Sequence, residues 1–257
     1  MNFDLLSDLH LRSLDESFLE NIKPASNVLV LLGDICEINQ VKQMLHFFKQ
    51  LNKLWDYILY VPGNHEFYGG HLTDTVSILR SHLKHLKNIV VMDNNTEVIN
   101  GIAFIGSTLW TDHNKGNIIS ILNIENMLND YNMIRVSPIL NDIRVKSSDI
   151  IHLFNICFKY ISDQVKKFDS CVILTHHAPT YLSISQKYKE SIINGAFASE
   201  LSDFILDNPQ IKVWAHGHVH SKFDYKLGNC RIITNPYGYR NEIYSSTQLY
   251  KPLNIVL

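Results

Sequence analysis

Three histidines alternate near the end of the chain, in the stretch Trp-Ala-His-Gly-His-Val-His at residues 214–220. Side chains at alternate positions lie on the same face of a strand, and Gly217 is a residue at which a strand commonly turns into a loop. His218 and His220 would therefore leave the strand end together, and two imidazoles in that arrangement can bind a metal ion. His216 precedes the glycine, and we expect it to be packed beside the site.

Similar polar side chains follow four other short apolar runs. They are Asp8 and His10 after residues 3–6, Asp34 after residues 28–32, Asn64 and His65 after residues 57–61, and His176 and His177 after residues 171–174. Loops beyond the carboxyl ends of strands in an open α/β sheet converge on one crevice, so we expect these groups to meet. Their mix of carboxylate, imidazole and amide suits Mn, Fe, Zn or Co better than Ca or Cu(I). The ligands suffice for two ions, and one carboxylate can bridge two metals about 3.5 to 4 Å apart.

Short apolar runs alternate with amphipathic stretches along the whole chain, which predicts an α/β protein built in layers. Apolar residues repeat at helical spacing over residues 38–54 and 150–168. The segment 107–148 is rich in Asn, and we expect an insertion or lid with one short helix near residues 118–128. Without a repeat or a flexible linker, the sequence predicts a single domain over residues 1–257. The predicted strands are residues 3–6, 28–32, 57–61, 89–92, 102–105, 171–174, 212–215, 231–234 and 254–256.

Composition argues against several classes of protein. The chain of 257 residues is 46% hydrophobic, enough for a sizeable core, and has 23 basic and 25 acidic side chains. This balance gives no support to binding of long nucleic acid or of an anionic membrane. The start has no basic region before an apolar one, and the 4 cysteines lie far apart. We therefore expect a cytoplasmic protein without structural disulfides.

The polar groups form five motifs in a defined order over most of the chain. These motifs are Asp8-x-His10, Gly33-Asp34-x-x-Glu37, Gly63-Asn64-His65-Glu66, His176-His177 and Gly217-His218-x-His220. As an ordered set they resemble the calcineurin-like metallophosphoesterase superfamily, and segments such as Leu-Thr-His-His-Ala-Pro are similar to a bacterial-type subgroup of it. The resemblance implies a four-layer αββα sandwich, in which two mixed β-sheets lie face to face, with helices outside and a dimetal site at one edge.

The resemblance also implies a role for each matching residue. Two divalent metal ions, either Mn²⁺, Fe²⁺/Fe³⁺ or Zn²⁺, would share Asp34 as a bridging ligand, and a hydroxide between them would attack phosphorus. His65 would bind a phosphate oxygen or protonate the leaving alkoxide, which suits an imidazole with an ordinary pKa of about 6.5. Glu66 would orient His65, and Glu37 would support the site without binding metal. The implied ligands are Asp8, His10 and His220 for the first metal, and Asn64, His176 and His218 for the second.

Some positions allow a second interpretation. His176 and His177 compete for one ligand position, and the family pattern favours His176, which directly follows the strand. His177 would then bind substrate together with Asn64 and His65. Cys36 is either a small buried residue, which we favour, or a thiolate ligand. Four aromatic residues form either a wall for the leaving group or part of the core, namely Trp110, Tyr131, Tyr237 and Tyr239.

The kind of phosphate ester depends on the positive charge near the site. In phosphoprotein phosphatases of the superfamily, two arginines near the second and third motifs clamp a phosphomonoester dianion. Ile38 and Pro62 stand at the corresponding positions, which favours a phosphodiester of a small or nucleotide-like substrate. For a phosphomonoester, Arg12, Arg240 or a lysine would have to supply the missing positive charge. The alternatives are a phosphomonoesterase or protein phosphatase, and a non-catalytic metal-binding scaffold of the same fold, against which the complete ligand set argues.

Overall fold

Eleven β-strands form two sheets in the computed structural model, which describes residues 1–12, 22–139, 143–239 and 250–257. The strands are β1 Asn2–Leu6, β2 Val28–Leu32, β3 Tyr57–Val61, β4 Ile89–Val91, β5 Asn95–Ile99, β6 Ile102–Ser107, β7 Cys171–Thr175, β8 Ile211–Ala215, β9 Asp224–Leu227, β10 Cys230–Ile233 and β11 Leu253–Val256. The first sheet has the order β11-β1-β2-β3-β4, and the second has the order β5-β6-β7-β8-β10-β9. The edge strands β11, β5 and β9 pair antiparallel and the remaining pairs are parallel, so both sheets are mixed.

The central strands bury side chains on both of their faces. In β2, Val30 belongs to the cluster between the two sheets, whereas Leu31 belongs to the cluster that includes Phe47 of an outer helix. Phe3 and Phe104 meet edge to face across the two sheets, with 5.8 Å between their ring centroids. A strand covered on both sides needs a continuous apolar run instead of an alternating one, which explains the sequence Val-Leu-Val-Leu-Leu of β2.

Helices cover the outer faces of the sheets. In the helix Ser147–Val165 the residues Ile150, Phe154, Cys157, Ile161 and Val165 are buried at spacings of three and four, as predicted. No helix in the described parts of the chain is long and apolar enough to cross a membrane. The α-helices are α1 Leu45–Leu54, α2 Thr75–Leu83, α3 Ile118–Met127, α4 Asp130–Met133, α5 Ser147–Val165 and α6 Ser202–Asp207, and the 3-10 helices are Ile38–Gln40, His65–Phe67, Tyr181–Ser183, Gln186–Tyr188 and Asn194–Ala196.

All nine predicted strands are present, with ends that differ from the prediction by at most two residues. Strands β5 and β9 lie at the edges of the second sheet and were not predicted. Edge strands are covered on fewer sides and therefore have more polar sequences, such as Asp-Tyr-Lys-Leu in β9. The short helix expected near residues 118–128 is present as α3, and segment 107–148 also contains α4 and a turn at His113–Gly116 with left-handed backbone, which were not predicted.

Candidate functional site

The loops that follow β1 and β2 remain paired beyond the ends of their strands. The backbone N–H groups of Asp8 and His10 donate to the carbonyl oxygens of Gly33 and Asp34 at 3.0 and 2.8 Å. The backbone N–H of His218, which follows β8 of the other sheet, donates to Oδ1 of Asp8 at 2.8 Å. The strand-end residues of both sheets therefore meet at one edge of the sandwich, as the sequence predicts.

The first group of candidate ligands consists of Asp8, His10, Asp34 and His220, whose ligand atoms lie within 4.8 Å of one another. The Nε2 atoms of His10 and His220 are 3.0 Å apart, and Oδ2 of Asp34 is 3.8 Å from Nε2 of His10. Burial lowers the pKa of His10 to about 3 despite the attraction of Asp34, so its ring is neutral at pH 7. Converging lone pairs repel one another unless a cation or a proton lies between them, and neutral imidazole is the form that binds metal.

The second group consists of Asp34, His176 and His218, again with ligand atoms within 4.8 Å of one another. Nδ1 of His176 lies 2.8 Å from the carbonyl oxygen of Leu32, to which it can only donate. A neutral His176 therefore has its lone pair on Nε2, which lies 3.3 Å from Oδ1 of Asp34 and 3.0 Å from Oδ1 of Asn64. Asn64 thus adds an amide oxygen to the second group.

Asp34 lies between the two groups, with Oδ2 toward His10 and Oδ1 toward His176. Burial raises the pKa of Asp34, but the charges of His176 and His65 and the hydrogen bond from His176 outweigh burial and lower this pKa well below its usual range. Burial lowers the pKa of His176, but Asp34 outweighs burial and raises it to about 10. A proton is therefore favoured beside Asp34, and a metal ion that binds there would replace that proton.

Two buried polar atoms of these groups have no hydrogen-bond partner among the described residues, namely Oδ2 of Asp8 and Nε2 of His218. Such atoms are rare in folded proteins, because a polar group that loses its hydration needs a replacement partner. Both atoms are of a type that binds metal, and one belongs to each group. Imidazole, carboxylate and amide ligands together fit divalent Mn, Fe or Zn. The residues present therefore fit the predicted ions, whose identity stays a prediction.

Five candidate ligands have a left-handed backbone, which is uncommon for residues other than glycine. Their φ angles are 55° at Asp8, 46° at His10, 54° at Asp34, 67° at His218 and 47° at His220. Conformations of this kind cost about 1 to 3 kcal/mol each and concentrate at functional sites. The paired loops therefore hold local strain at the positions of the predicted ligands.

Two glycines allow the loops after β2 and β3 to approach His176. A Cβ atom at Gly33, where φ is +80°, would lie 2.5 Å from Nδ1 of His176. A Cβ atom at Gly63 would lie 2.3 Å from Oδ1 of Asp34. Both distances are shorter than any contact that a real Cβ atom makes, so the ligand atoms could not come together around a larger residue at either position.

His65 lies at the outer edge of the first group. Its backbone N–H donates to Oδ1 of Asp34 at 2.9 Å, and its Nε2 is 3.1 Å from the hydroxyl of Tyr239. The ring stacks on that of Tyr68, with 4.1 Å between centroids. The side chain is 17% exposed, so a bound substrate can reach it. This placement suits a proton donor or a phosphate ligand, and the role itself stays a prediction.

Glu66 contacts the backbone of the site loops, whereas the motif implied that it orients the ring of His65. Its carboxylate accepts hydrogen bonds from the N–H groups of Asp34 at 2.8 Å, Ile35 at 2.7 Å and Gly63 at 2.6 Å, and from the hydroxyl of Tyr60 at 2.7 Å. Glu66 therefore ties the loop after β2 to the loop after β3. Glu37 is partly exposed beside the 3-10 helix Ile38–Gln40, and its support of the site stays a prediction.

His177 is buried, although we expected it to line the substrate cleft. It is 2% exposed, its Nδ1 lies 3.2 Å from the carbonyl oxygen of Thr108, and its ring stacks on Trp110 at 5.5 Å. His216 is also buried, with Nε2 at 2.8 Å from the hydroxyl oxygen of Ser183. Both histidines therefore pack beneath the ligand groups.

The remaining predicted residues divide between the site and the core. Tyr239 lies 4.4 Å from the ring of His10, between centroids, and so borders the site. Trp110 and Tyr131 are buried in the core, and Tyr237 packs against another tyrosine. Cys36 is buried as favoured, and burial raises its pKa well above the usual range, which disfavours a thiolate ligand. Of the two arginines considered, Arg12 is exposed and Arg240 lies outside the described residues.

Asp130, the first residue of α4, also contacts the site and was not predicted from the sequence. Its Oδ1 accepts a hydrogen bond from Nδ2 of Asn64 at 2.9 Å and one from the hydroxyl of Tyr68 at 2.6 Å. Asp130 follows no strand, so the rule that identified the other site residues could not identify it.

Comparisons with known proteins agree with this architecture. A family model described as calcineurin-like phosphoesterase matches residues 1–222. An uncharacterised protein of Acanthamoeba polyphaga mimivirus is 33% identical to this chain in an alignment that covers 92% of this chain and 91% of that protein. A phosphopantetheinyl hydrolase from Mycobacterium tuberculosis has a similar fold, with a TM-score of 0.78 and 14% identity over 99% of this chain and 95% of that one. A dimetal phosphatase from Danio rerio gives a TM-score of 0.56 and 12% identity over 91% and 86% of the two chains.

Proposed function

Because the chain belongs to the calcineurin-like phosphoesterase family, we propose that it hydrolyses a phosphate ester with the help of two divalent metal ions. The observation that carries this proposal is the pair of ligand groups that share Asp34, one carboxylate oxygen toward each. Two metals joined by a carboxylate can stabilise both the attacking and the leaving oxygen in a displacement at phosphorus. The similar fold of a dimetal phosphatase from Danio rerio is consistent with this proposal.

The residues of the site divide into ligands and a proton donor. Bound ions would lower the pKa of a water molecule and withdraw charge from the phosphate. His65 would donate a proton to the leaving oxygen, and the hydroxyl of Tyr239, 3.1 Å from Nε2, would fix the direction of its ring. The proposed ligands are Asp8, His10, Asp34 and His220 for the first ion and Asp34, Asn64, His176 and His218 for the second.

We propose a phosphodiester of a small or nucleotide-like compound as the substrate. Ile38 is buried, and the carbonyl of Pro62 accepts a hydrogen bond from the hydroxyl of Thr108. Neither position therefore brings a cation to the phosphate, as an arginine there would. A diester has one negative charge and a monoester up to two, so a site with fewer cations favours the diester.

Hydrolysis of bis(p-nitrophenyl) phosphate and of p-nitrophenyl phosphate by chelator-stripped protein tests this proposal. Mn²⁺, Zn²⁺ or Fe²⁺ should restore turnover, with a higher kcat/KM for the diester. A phosphopantetheinyl ester belongs in the same assay, because the Mycobacterium tuberculosis protein of similar fold is a phosphopantetheinyl hydrolase. A higher kcat/KM for the monoester would indicate a phosphomonoesterase, and two bound ions without turnover of any ester would support a scaffold.

A further inference from the structure

Helix α4 places the carboxylate of Asp130 against Asn64, which belongs to the second ligand group, and against Tyr68, which packs on His65. A single oxygen, Oδ1, accepts hydrogen bonds from Nδ2 of Asn64 at 2.9 Å and from the hydroxyl of Tyr68 at 2.6 Å. The ring of Tyr68 stacks on His65, with 4.1 Å between centroids and 24° between planes. Asp130 therefore contacts both the amide proposed to bind the second ion and the ring that packs on the proposed proton donor.

We propose that Asp130 is a positioning residue, which turns the amide oxygen of Asn64 toward the second ligand group and holds Tyr68 against His65. This proposal rests on the proposed function of the site. An asparagine amide can bind a cation through its oxygen only, and so in only one of its two orientations. A carboxylate accepts hydrogen bonds but does not donate them, so it selects the orientation in which the amide nitrogen points to Asp130. The amide oxygen then lies 3.0 Å from Nε2 of His176, inside the second group.

The backbone around these contacts is fixed on both sides. The N–H of Gly69 donates to the carbonyl of Met133 at 3.0 Å, and the N–H of Arg135 donates to the carbonyl of Gly70, also at 3.0 Å. The chain that leaves α4 is thus paired with the chain that leaves Tyr68. Burial raises the pKa of Asp130, and the hydrogen bonds from Tyr68 and Asn64 oppose that rise. Segment 107–148 is therefore joined to the site by these backbone hydrogen bonds and by the part-buried hydrogen bonds of Asp130.

Calorimetric titration of Mn²⁺ into the chelator-stripped full chain tests the effect on Asn64. In Asp130→Ala we expect the affinity for the second ion to fall about 10- to 100-fold, while the first ion binds as in the wild type. Asp130→Asn should restore most of this affinity, because one amide oxygen can accept both hydrogen bonds. Asp203→Ala removes an exposed aspartate from the first turn of α6 and serves as the matched control. Second-ion affinity in Asp130→Ala within about twofold of the wild type would overturn the proposal.

Tyr68→Phe separates the two contacts of Asp130, because it removes the hydroxyl and leaves Asn64 in place. We expect unchanged Mn²⁺ affinity and KM with a lower kcat, since the ring would hold His65 less firmly. An unchanged kcat would overturn that half of the proposal. Should Asp130→Ala fail to fold, a crystal structure of the Zn²⁺-loaded wild type decides the matter, and an Asn64 nitrogen turned away from Asp130 would overturn the proposal.

The number of Mn²⁺ ions that the wild type binds distinguishes a failure of this proposal from a failure of the proposed function. Wild-type protein that binds one Mn²⁺ ion or none would contradict the dimetal site itself. Two ions bound equally well by the wild type and by Asp130→Ala would overturn the positioning role alone.

Discussion

Replacement of Glu66 by Gln tests whether this buried carboxylate holds the two central loops together. In the structure it accepts hydrogen bonds from the N–H groups of Asp34, Ile35 and Gly63 at 2.6 to 2.8 Å, and from the hydroxyl of Tyr60 at 2.7 Å. A carboxylate has two accepting oxygens, whereas glutamine has one oxygen and one NH₂ group. In either orientation of the amide, the NH₂ group faces at least one backbone N–H, and that hydrogen bond is lost.

The size of the effect follows from the orientation of the glutamine amide in which the fewest strong hydrogen bonds are lost. This orientation places the NH₂ group beside Tyr60, whose hydroxyl can accept, and leaves without an acceptor the N–H of Ile35 and the more distant N–H of Cys36, which lies 3.4 Å from the same oxygen. A hydrogen bond to a charged group contributes about 1.5 to 3 kcal/mol, and an unsatisfied buried donor costs about 1 to 3 kcal/mol. Burial raises the pKa of Glu66, so desolvation opposes its charge, and removal of the charge offsets part of the loss. We therefore expect the free energy of unfolding to fall by about 2 to 4 kcal/mol.

Urea unfolding of metal-stripped protein measures this change without a contribution from metal binding. Glu37→Gln is the matched control, since it makes the same chemical change at a partly exposed position near the site. We expect this control to unfold within about 0.5 kcal/mol of the wild type. A decrease of less than about 1 kcal/mol in Glu66→Gln would refute the inference that its carboxylate ties the loops together.

Four other changes test the site and the core. Asp34→Asn should lose both ions, measured by elemental analysis, and turnover with them, and an active variant with two ions would contradict the bridging role. His65→Ala should keep its metal and lose about 10²- to 10⁴-fold in kcat, with a smaller loss for substrates that have good leaving groups. Gly63→Ala should bind Mn²⁺ more weakly in calorimetry, because its Cβ would lie 2.3 Å from Oδ1 of Asp34. Burial lowers the pKa of His113 to about 4, so the unfolded chain takes up a proton more readily than the folded one. The stability from neutral His113 is therefore complete above pH of about 6.5 and falls by up to about 3 kcal/mol as the pH drops to 4, and in His113→Gln the decrease measured by urea unfolding should be smaller by that amount.

The sequence predicts the centre of the fold better than its periphery, for a physical reason. Strands such as Val28–Leu32 are buried on both faces, so their sequences are apolar throughout and easy to recognise. The edge strands Asn95–Ile99 and Asp224–Leu227 are partly exposed and have polar sequences that resemble those of loops. In segment 107–148, the short helix Asp130–Met133 is also held by contacts with the distant residues Asn64, Tyr68 and Gly69, which local sequence does not encode.

The same distinction applies to the candidate site. The predicted ligands Asp8, Asp34 and His218 follow strand ends, and the topology of parallel strands brings such positions together whatever the detailed shape of the loops. The supporting residues obey no such rule. Asp130 is 66 residues from Asn64 along the chain, and Glu66 contacts the N–H of Asp34 from 32 residues away. Each of these carboxylates needs donors directed at it, and only the folded loops supply them, so these supports become visible in the structure and not in the motifs.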